Sequence, residues 1–150
     1  MAESSFWTKV HAVAAKATWA YLATADGNQP KVRVVHPAFE GERLWVATGR
    51  DSAKARQIGK NSNVQLFYQI GAEMIHLTVT GKAAFVEDLA EKKRIWNGHV
   101  FDYELGQFWP AGPESKDFGL MLITPARIEL TSLPVMTTGK KPEVWHAQRK

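Results

Sequence analysis

Cysteine is absent from the 150 residues of this chain. Its absence excludes disulfide bridges, thiolate catalysis, cysteine-ligated zinc and iron–sulfur clusters. No apolar run approaches the roughly 18 residues that a membrane-spanning helix needs. The N-terminal segment MAESSFWTKV lacks the basic start and long apolar region of a secretion signal. The sequence therefore predicts a cytoplasmic protein with no membrane partner.

Familiar catalytic signatures are missing as well. The sequence contains no G-x-S-x-G, H-E-x-x-H, G-x-G-x-x-G or P-loop pattern, which removes support for hydrolase and dinucleotide-fold readings. Its five histidines are His11, His36, His76, His99 and His146. They lie on different predicted elements with no pair at the spacing of metal ligands, so we expect no metal site.

The composition is typical of one compact domain. Hydrophobic residues make up 45% of the chain and charged residues 23%, with 11 Gly and 7 Pro. A chain of this length buries roughly 70% of its unfolded surface, so its core needs no disulfide. We expect a single domain over residues 1–150. Its polar, lysine-rich tail, residues 134–150, is expected to be partly flexible except around Trp145.

The pattern of β-rich runs and short turns predicts a mainly β protein, a small antiparallel barrel with helices. Six strands are expected at residues 19–24, 31–37, 43–48, 64–69, 74–86 and 119–130. Three short helices are expected at residues 5–17, 53–60 and 88–98. An Asp-Gly turn between the first two strands indicates a hairpin. The strands do not alternate regularly with helices, which disfavours a doubly wound parallel sheet.

Positive charge is concentrated in residues 31–60. The basic side chains there are Lys31, Arg33, Arg43, Arg50, Lys54, Arg56 and Lys60, and the acidic ones are Glu40, Glu42 and Asp51. The excess equals the net charge of the whole chain, +4. Such a cluster predicts an anionic ligand, and by charge alone a small phosphorylated molecule is as reasonable as nucleic acid.

A strand–turn–helix junction in residues 47–64 gathers groups that bind phosphate. The strand ends at Thr48, Ser52 precedes the helix, and Lys54 lies in its first turn. A helix N-terminus offers unpaired N–H donors and partial positive charge. Alternatively, Ser52 only caps the helix and the basic side chains are solvated. Arg33 favours the phosphate site, because turning a charged side chain inward among valines is costly unless a partner compensates its charge.

Residues 99–117 form a loop rich in aromatic side chains. Phe101, Tyr103, Phe108 and Trp109 crowd a segment where a monomer would be expected to show polar residues. We expect them at a subunit interface, where they would also wall a flat cofactor ring. The alternative is that they close over the end of the barrel within one subunit.

Four segments follow one another in a characteristic order. They are ATWAYLATADGNQPKVRVVHP, LWVATGRDSAKARQIGKNSNV, TGKAAFVED and FWPAGPES, within residues 6–130. In these segments the chain resembles the pyridoxamine phosphate oxidase-like superfamily of FMN-binding split barrels, particularly its general-stress-protein branch. The resemblance implies a homodimer with one FMN per subunit at the interface, and no nucleic-acid partner.

The resemblance also implies which positions contact FMN. Those at the phosphate are Arg33, Thr48, Ser52 and Lys54, with Ala47 and Ala53 beside them. Those at the isoalloxazine ring are Val34, Val35, His36, His76 and Trp109. His76 stands where the oxidases place a flavin-contacting glutamine. No catalytic residue is assigned.

The activity implied is flavin-dependent oxidation or reduction of an unidentified small molecule. Ala53 replaces an arginine that the oxidases carry before the lysine, and Pro37-Ala38 replaces their Leu-Lys. These departures weigh against pyridoxamine phosphate oxidase activity more than against FMN binding. Two alternatives stay open: a redox-inert flavin-binding module, and a relative that uses deazaflavin or haem instead of FMN.

Overall fold

The computed structural model describes residues 4–148, which contain eight strands and four α-helices. The helices are α1 (Ser5–Lys16), α2 (Ala53–Lys60), α3 (Leu89–Asn97) and α4 (Leu133–Thr137). The strands are β1 (Ala20–Asp26), β2 (Gln29–Val35), β3 (Ala38–Glu40), β4 (Arg43–Gly49), β5 (Asn63–Ile70), β6 (Ile75–Phe85), β7 (Phe118–Thr131) and β8 (Glu143–His146). No helix in this described range is long and apolar enough to cross a membrane.

All eight strands belong to one antiparallel sheet. Its order is β2-β1-β5-β6-β7-β4-β3, and β8 pairs with β7. The two strands at the ends of this order, β2 and β3, are separated in sequence only by His36 and Pro37. Because two residues span only a short distance, the sheet must curl until its ends approach each other. The expected mainly β barrel with helices is confirmed.

Helix α1 covers one end of the barrel. It begins after Ser4, whose hydroxyl oxygen accepts a hydrogen bond from the backbone N–H of Trp7, as an N-cap residue does. Trp7, Val10 and Val13 follow at helical spacing and are buried in the main hydrophobic cluster. The apolar face of α1 therefore closes the barrel interior.

A second hydrophobic cluster lies outside the barrel. It packs α3 and the 99–117 loop against β4 and β7, and its buried members are Trp45, Ile95, Phe101, Leu105, Phe118 and Leu120. Phe101 is only 5% exposed and Phe108 is 63% exposed, while Tyr103 and Trp109 are half-buried. Phe101, Tyr103 and Trp109 therefore pack at least partly within their own chain, and the interface expected for the four aromatic residues stays a prediction.

Two strands exceed the six expected, and both are short. β3 has three residues, too few for alternation to be visible in the sequence, and it pairs with β4 through Ala38 and Trp45. β8 lies in the segment expected to be partly flexible. There Trp145 packs edge-on against Trp7 at 5.1 Å between ring centroids, so a tertiary contact orders a polar stretch.

The rest of the tail also contains regular secondary structure within the described residues. Helix α4 begins after Ser132, whose hydroxyl accepts from the backbone N–H of Val135, and Pro134 stands in its first turn. Both are helix-start signals that the polar composition obscured. Residues 149–150 of the expected tail lie outside the described residues.

We expect Trp145→Ala to lower the free energy of unfolding by about 1–3 kcal/mol, because it removes a ring packed on the buried Trp7. Urea denaturation followed by circular dichroism measures this change. Val144→Ala is the matched control, since Val144 is on the same strand and exposed. Equal effects of the two substitutions would show that β8 contributes no tertiary packing.

Candidate functional site

A cavity of about 460 Å³ opens where β2, β4, the first turn of α2 and the 99–117 loop meet. We call it the main cavity. Its lining residues are Thr18, Trp19, Val34, Val35, His36, Ala47, Thr48, Lys54, Tyr103, Gln107, Phe108 and Trp109. Its volume falls within the range of small-molecule sites. One side is cationic and the other aromatic.

The cationic side is formed by Lys54, which lines the cavity, with the basic side chain of Arg33 near it; both are held by neutral partners. Lys54 Nζ donates to Thr48 Oγ1 at 2.6 Å. Arg33 donates to Thr24 Oγ1 at 2.6 Å and to Gln57 Oε1 at 2.8 Å. Burial lowers the pKa of Lys54, and the positive charge of Arg33 lowers it further. Neither cation pairs with a carboxylate among residues 4–148, so the pair is suited to an anionic ligand.

The start of α2 places Lys54 beside the cavity. Ser52 Oγ accepts from the backbone N–H of Ala55 at 3.3 Å, which fixes the first turn of the helix. Ser52 itself does not line the main cavity, and Ala53 lines a separate cavity toward the β1–β2 turn. Ser52 therefore caps α2, and Lys54 in the same first turn still lies at the cavity wall.

The aromatic side is a series of contacting rings. His36 stacks on Tyr103 with ring centroids 4.4 Å apart and lies tilted 5.2 Å from Trp19. Phe108 stands edge-on to Tyr103 at 5.9 Å and contacts Trp109 at 5.8 Å. Flat, apolar surfaces of this kind favour a planar ligand.

His36 is held by an acidic partner that the sequence did not reveal. Its Nε2 lies 2.7 Å from Oδ1 of Asp102, a carboxylate that is 79% exposed. Burial, with a smaller effect of the Asp102 charge, raises the pKa of Tyr103 to about 12. The Tyr103 phenol therefore stays protonated at neutral pH.

The structure brings most of the expected site residues together. Those that line the main cavity are Val34, Val35, His36, Ala47, Thr48, Lys54 and Trp109. Arg33 does not line the main cavity, but its positive charge lowers the pKa of Lys54, which does. His76 lies elsewhere on β6, with Nδ1 2.7 Å from the Met74 carbonyl oxygen and its ring against Phe67. Its role at a cofactor stays a prediction.

Several contributing residues were not singled out from the sequence. Gln57 follows Lys54 by three positions on α2 and so shares its face of the helix, a spacing that could have identified it. Thr24 is a diagonal neighbour of Arg33 across the β1–β2 pair. Asp102 and Gln107 belong to the irregular 99–117 loop, where no periodic pattern predicts which way a side chain points.

The antiparallel curled sheet and its cavity beside the second helix define a split-barrel protein. The profile of the pyridoxamine 5'-phosphate oxidase family matches residues 6–132, and the chain belongs to that family. Comparison with curated proteins finds no significant match.

Solved structures share this fold at low sequence identity. General Stress Protein 26 from Bacillus anthracis str. Sterne superposes with a TM-score of 0.72 at 23% identity, covering 96% of this chain and 100% of that one. A pyridoxamine 5'-phosphate oxidase-related, FMN binding protein from Nostoc punctiforme PCC 73102 gives 0.65 at 16%, covering 99% and 100%. A heme binding protein from Mycobacterium smegmatis gives 0.74 at 13%, covering 97% and 60%.

We expect Lys54→Met to raise the thermal midpoint of the ligand-free protein by about 1–3 °C at pH 7, because it removes a partly buried charge that Arg33 repels. The lowered pKa means that folded Lys54 loses its proton below the ordinary value of 10.5. Folding then becomes relatively more favourable as pH rises toward that value. The advantage of the variant should therefore shrink between pH 7 and pH 10 in thermal melts. A variant that melts below the parent at pH 7 contradicts this account.

Proposed function

We propose that this protein binds FMN in the main cavity, with the phosphate at Arg33 and Lys54 and the ring among the aromatic side chains. The observation that carries the proposal is the unneutralised pair of cations beside a cavity walled by flat rings. A bound phosphate would supply the missing negative charge through charge-assisted hydrogen bonds. The FMN-binding relative from Nostoc punctiforme supports the same choice.

A single small phosphate ester suits the site better than a nucleic acid. Lys54 lines a cavity of about 460 Å³ that a small ligand can fill, whereas a strand needs an extended basic surface. The helix start adds partial positive charge close to Lys54. Ring and phosphate would thus be recognised at opposite sides of one cavity.

The proposed activity is flavin-dependent oxidation or reduction of a small molecule. Bound FMN would supply the redox chemistry of its ring, while the protein binds, orients and shields it. Thr48 and Lys54 would hold the phosphate, and His36, fixed by Asp102, would border the ring. Ala53 and the Pro37-Ala38 pair still weigh against pyridoxamine phosphate as the substrate.

FMN should bind at least about tenfold more tightly than riboflavin, because hydrogen bonds to charged groups contribute roughly 1.5–3 kcal/mol each. Lys54→Met and Arg33→Met should each weaken FMN binding by about tenfold or more and leave riboflavin binding nearly unchanged. Titrations that follow flavin fluorescence measure both ligands.

Lys60→Met is the matched control, because Lys60 is an exposed lysine at the other end of the same helix. Equal affinities of the parent protein for FMN and riboflavin would overturn the proposal. Parallel titrations with haem and with a deazaflavin cofactor test the alternatives, and tighter binding of either one would replace FMN as the cofactor.

We also propose that two copies of the chain pair through the outward face of β1 and β2. Tyr21, Val32 and Val34 are exposed on this face, Val32 by 66%, and Trp19 and Phe108 are exposed beside it. Contiguous apolar surface of this kind is typical of an interface. Trp19, Val34 and Phe108 also line the main cavity, so pairing would cover its mouth.

The same face extends toward His76. Tyr21 is paired with Phe67 on β5, and the ring of His76 contacts Phe67 at 5.2 Å between centroids. A partner docked on this face would bring its own main cavity close to Phe67 and His76. That arrangement supports the expectation that His76 contacts a cofactor, in this case the one bound by the partner subunit.

Val32→Asp should shift the protein toward the monomer and raise the dimer dissociation constant at least about tenfold, because each dimer would bury two unpaired carboxylates. Sedimentation velocity at micromolar concentrations measures the shift. Val144→Asp, an exposed valine on β8, is the control for the added charge. A parent protein that sediments as a stable monomer would refute the dimer.

A further inference from the structure

A second cavity, of about 360 Å³, lies between α1, β3 and the start of the 99–117 loop. We call it the α1–β3 cavity. Its lining residues are His11, Ala14, Ala15, Pro37, Ala38, Phe39, Gly41, Tyr68, Val100 and Asp102. Asp102 belongs to this cavity, whereas its partner His36 lines the main cavity. The two cavities therefore meet at the His36–Asp102 contact.

Tyr68 gives the α1–β3 cavity a hydroxyl group with no hydrogen-bond partner among the described residues. The residue is 1% exposed, and its hydroxyl makes no hydrogen bond to the residues that the structure describes. Its ring is fixed by stacking on Phe39, with centroids 6.3 Å apart. Burial raises the pKa of Tyr68, so the hydroxyl stays protonated. Since no described residue uses this hydroxyl, it is available to donate to or accept from a ligand in the cavity.

The charge of the lining selects the sign of a ligand. Asp102 is the only acidic residue among those named, and neither lysine nor arginine lines the cavity. His11 Nε2 lies 2.9 Å from the Gly41 carbonyl oxygen, which can only accept, so that nitrogen donates there. Coulomb attraction therefore favours a cation and opposes a carboxylate or phosphate.

The remaining lining sets the size and shape of a ligand. Ala14, Ala15 and Ala38 offer small apolar side chains, and Phe39 adds an aromatic surface. A volume of about 360 Å³ is at the lower end for small-molecule sites. A molecule with one ring fits this description better than an extended cofactor does.

We propose that the α1–β3 cavity binds a small monocyclic amine, with its ammonium at Asp102 and a polar substituent at the Tyr68 hydroxyl. This goes beyond the proposed flavin function and assigns a second ligand site. The ammonium and the His36 ring share one carboxylate. Occupation of the α1–β3 cavity would therefore weaken the hold on a residue that borders the main cavity.

The test uses three related probes on the full chain with no flavin added. Tyramine carries both an ammonium and a phenol, phenethylamine lacks the phenol, and 4-hydroxyphenylacetate reverses the charge. We expect tyramine to bind most tightly and 4-hydroxyphenylacetate most weakly. Calorimetry gives the affinities, and backbone NMR shifts at Ala14, Ala15 and Ala38 locate the binding.

Two substitutions separate the two contacts. Asp102→Asn should weaken both amines about three- to tenfold, a modest loss because the carboxylate is well exposed. Tyr68→Phe should weaken tyramine about three- to tenfold and leave phenethylamine unchanged. Asp26→Asn and Tyr21→Phe are matched controls on exposed residues away from this cavity. Tyr68→Phe should also melt no lower than the parent, since the hydroxyl has no partner to lose.

The proposal fails if no probe binds at 10 mM, if 4-hydroxyphenylacetate binds as well as tyramine, or if neither substitution changes the affinities. A lower melting temperature for Tyr68→Phe would show that the hydroxyl already has a partner, which also overturns the site. Because no flavin is present, these outcomes leave the proposed FMN site untouched. Loss of FMN binding would likewise leave the amine site untouched.

Discussion

The inward direction of Arg33 is the constraint on which the site depends. Its guanidinium donates to Thr24 on β1 and to Gln57 on α2, and so joins a hairpin to the helix beside it. Since side chains alternate along a strand, Val32 and Val34 must then face outward. A slip of one residue would bury both valines and expose the arginine, losing the cationic side and the apolar face together.

Two faces of one strand thus serve two purposes. On the inward face of β2, the charged side chain of Arg33 points toward α2. On the outward face, Val32 and Val34 form an exposed apolar surface beside the mouth of the main cavity. Just after β2, His36 leaves the sheet and stacks on Tyr103 while Asp102 holds its ring. The 99–117 loop, which already packs on β4 and β7 through the second hydrophobic cluster, is thus also linked to the segment after β2 at the boundary between the two cavities.

Elements with strong local signals could be predicted from the sequence, and those that depend on tertiary contacts could not. Helix α2 has the expected bounds because Ser52 caps it and apolar residues follow at helical spacing. β3 is too short to show a pattern, and β8 is ordered by Trp145 packing on Trp7. At the site, Lys54 and Thr48 follow from the strand–turn–helix order. The position of Asp102 could not be predicted, because an irregular loop has no periodic pattern that indicates where its side chains point.

The unneutralised charges of Arg33 and Lys54 also bear on how fast the protein is degraded when no anion is bound. A ligand that binds only the folded chain lowers the fraction of chains that are unfolded, by mass action. Proteases act mainly on unfolded chains, so the bound protein is degraded more slowly. Arg33 and Lys54 repel each other until an anion lies between them, so the empty form is the more exposed to turnover. If the proposed FMN occupies this site, the cellular abundance of the chain would follow the supply of FMN without any dedicated regulator.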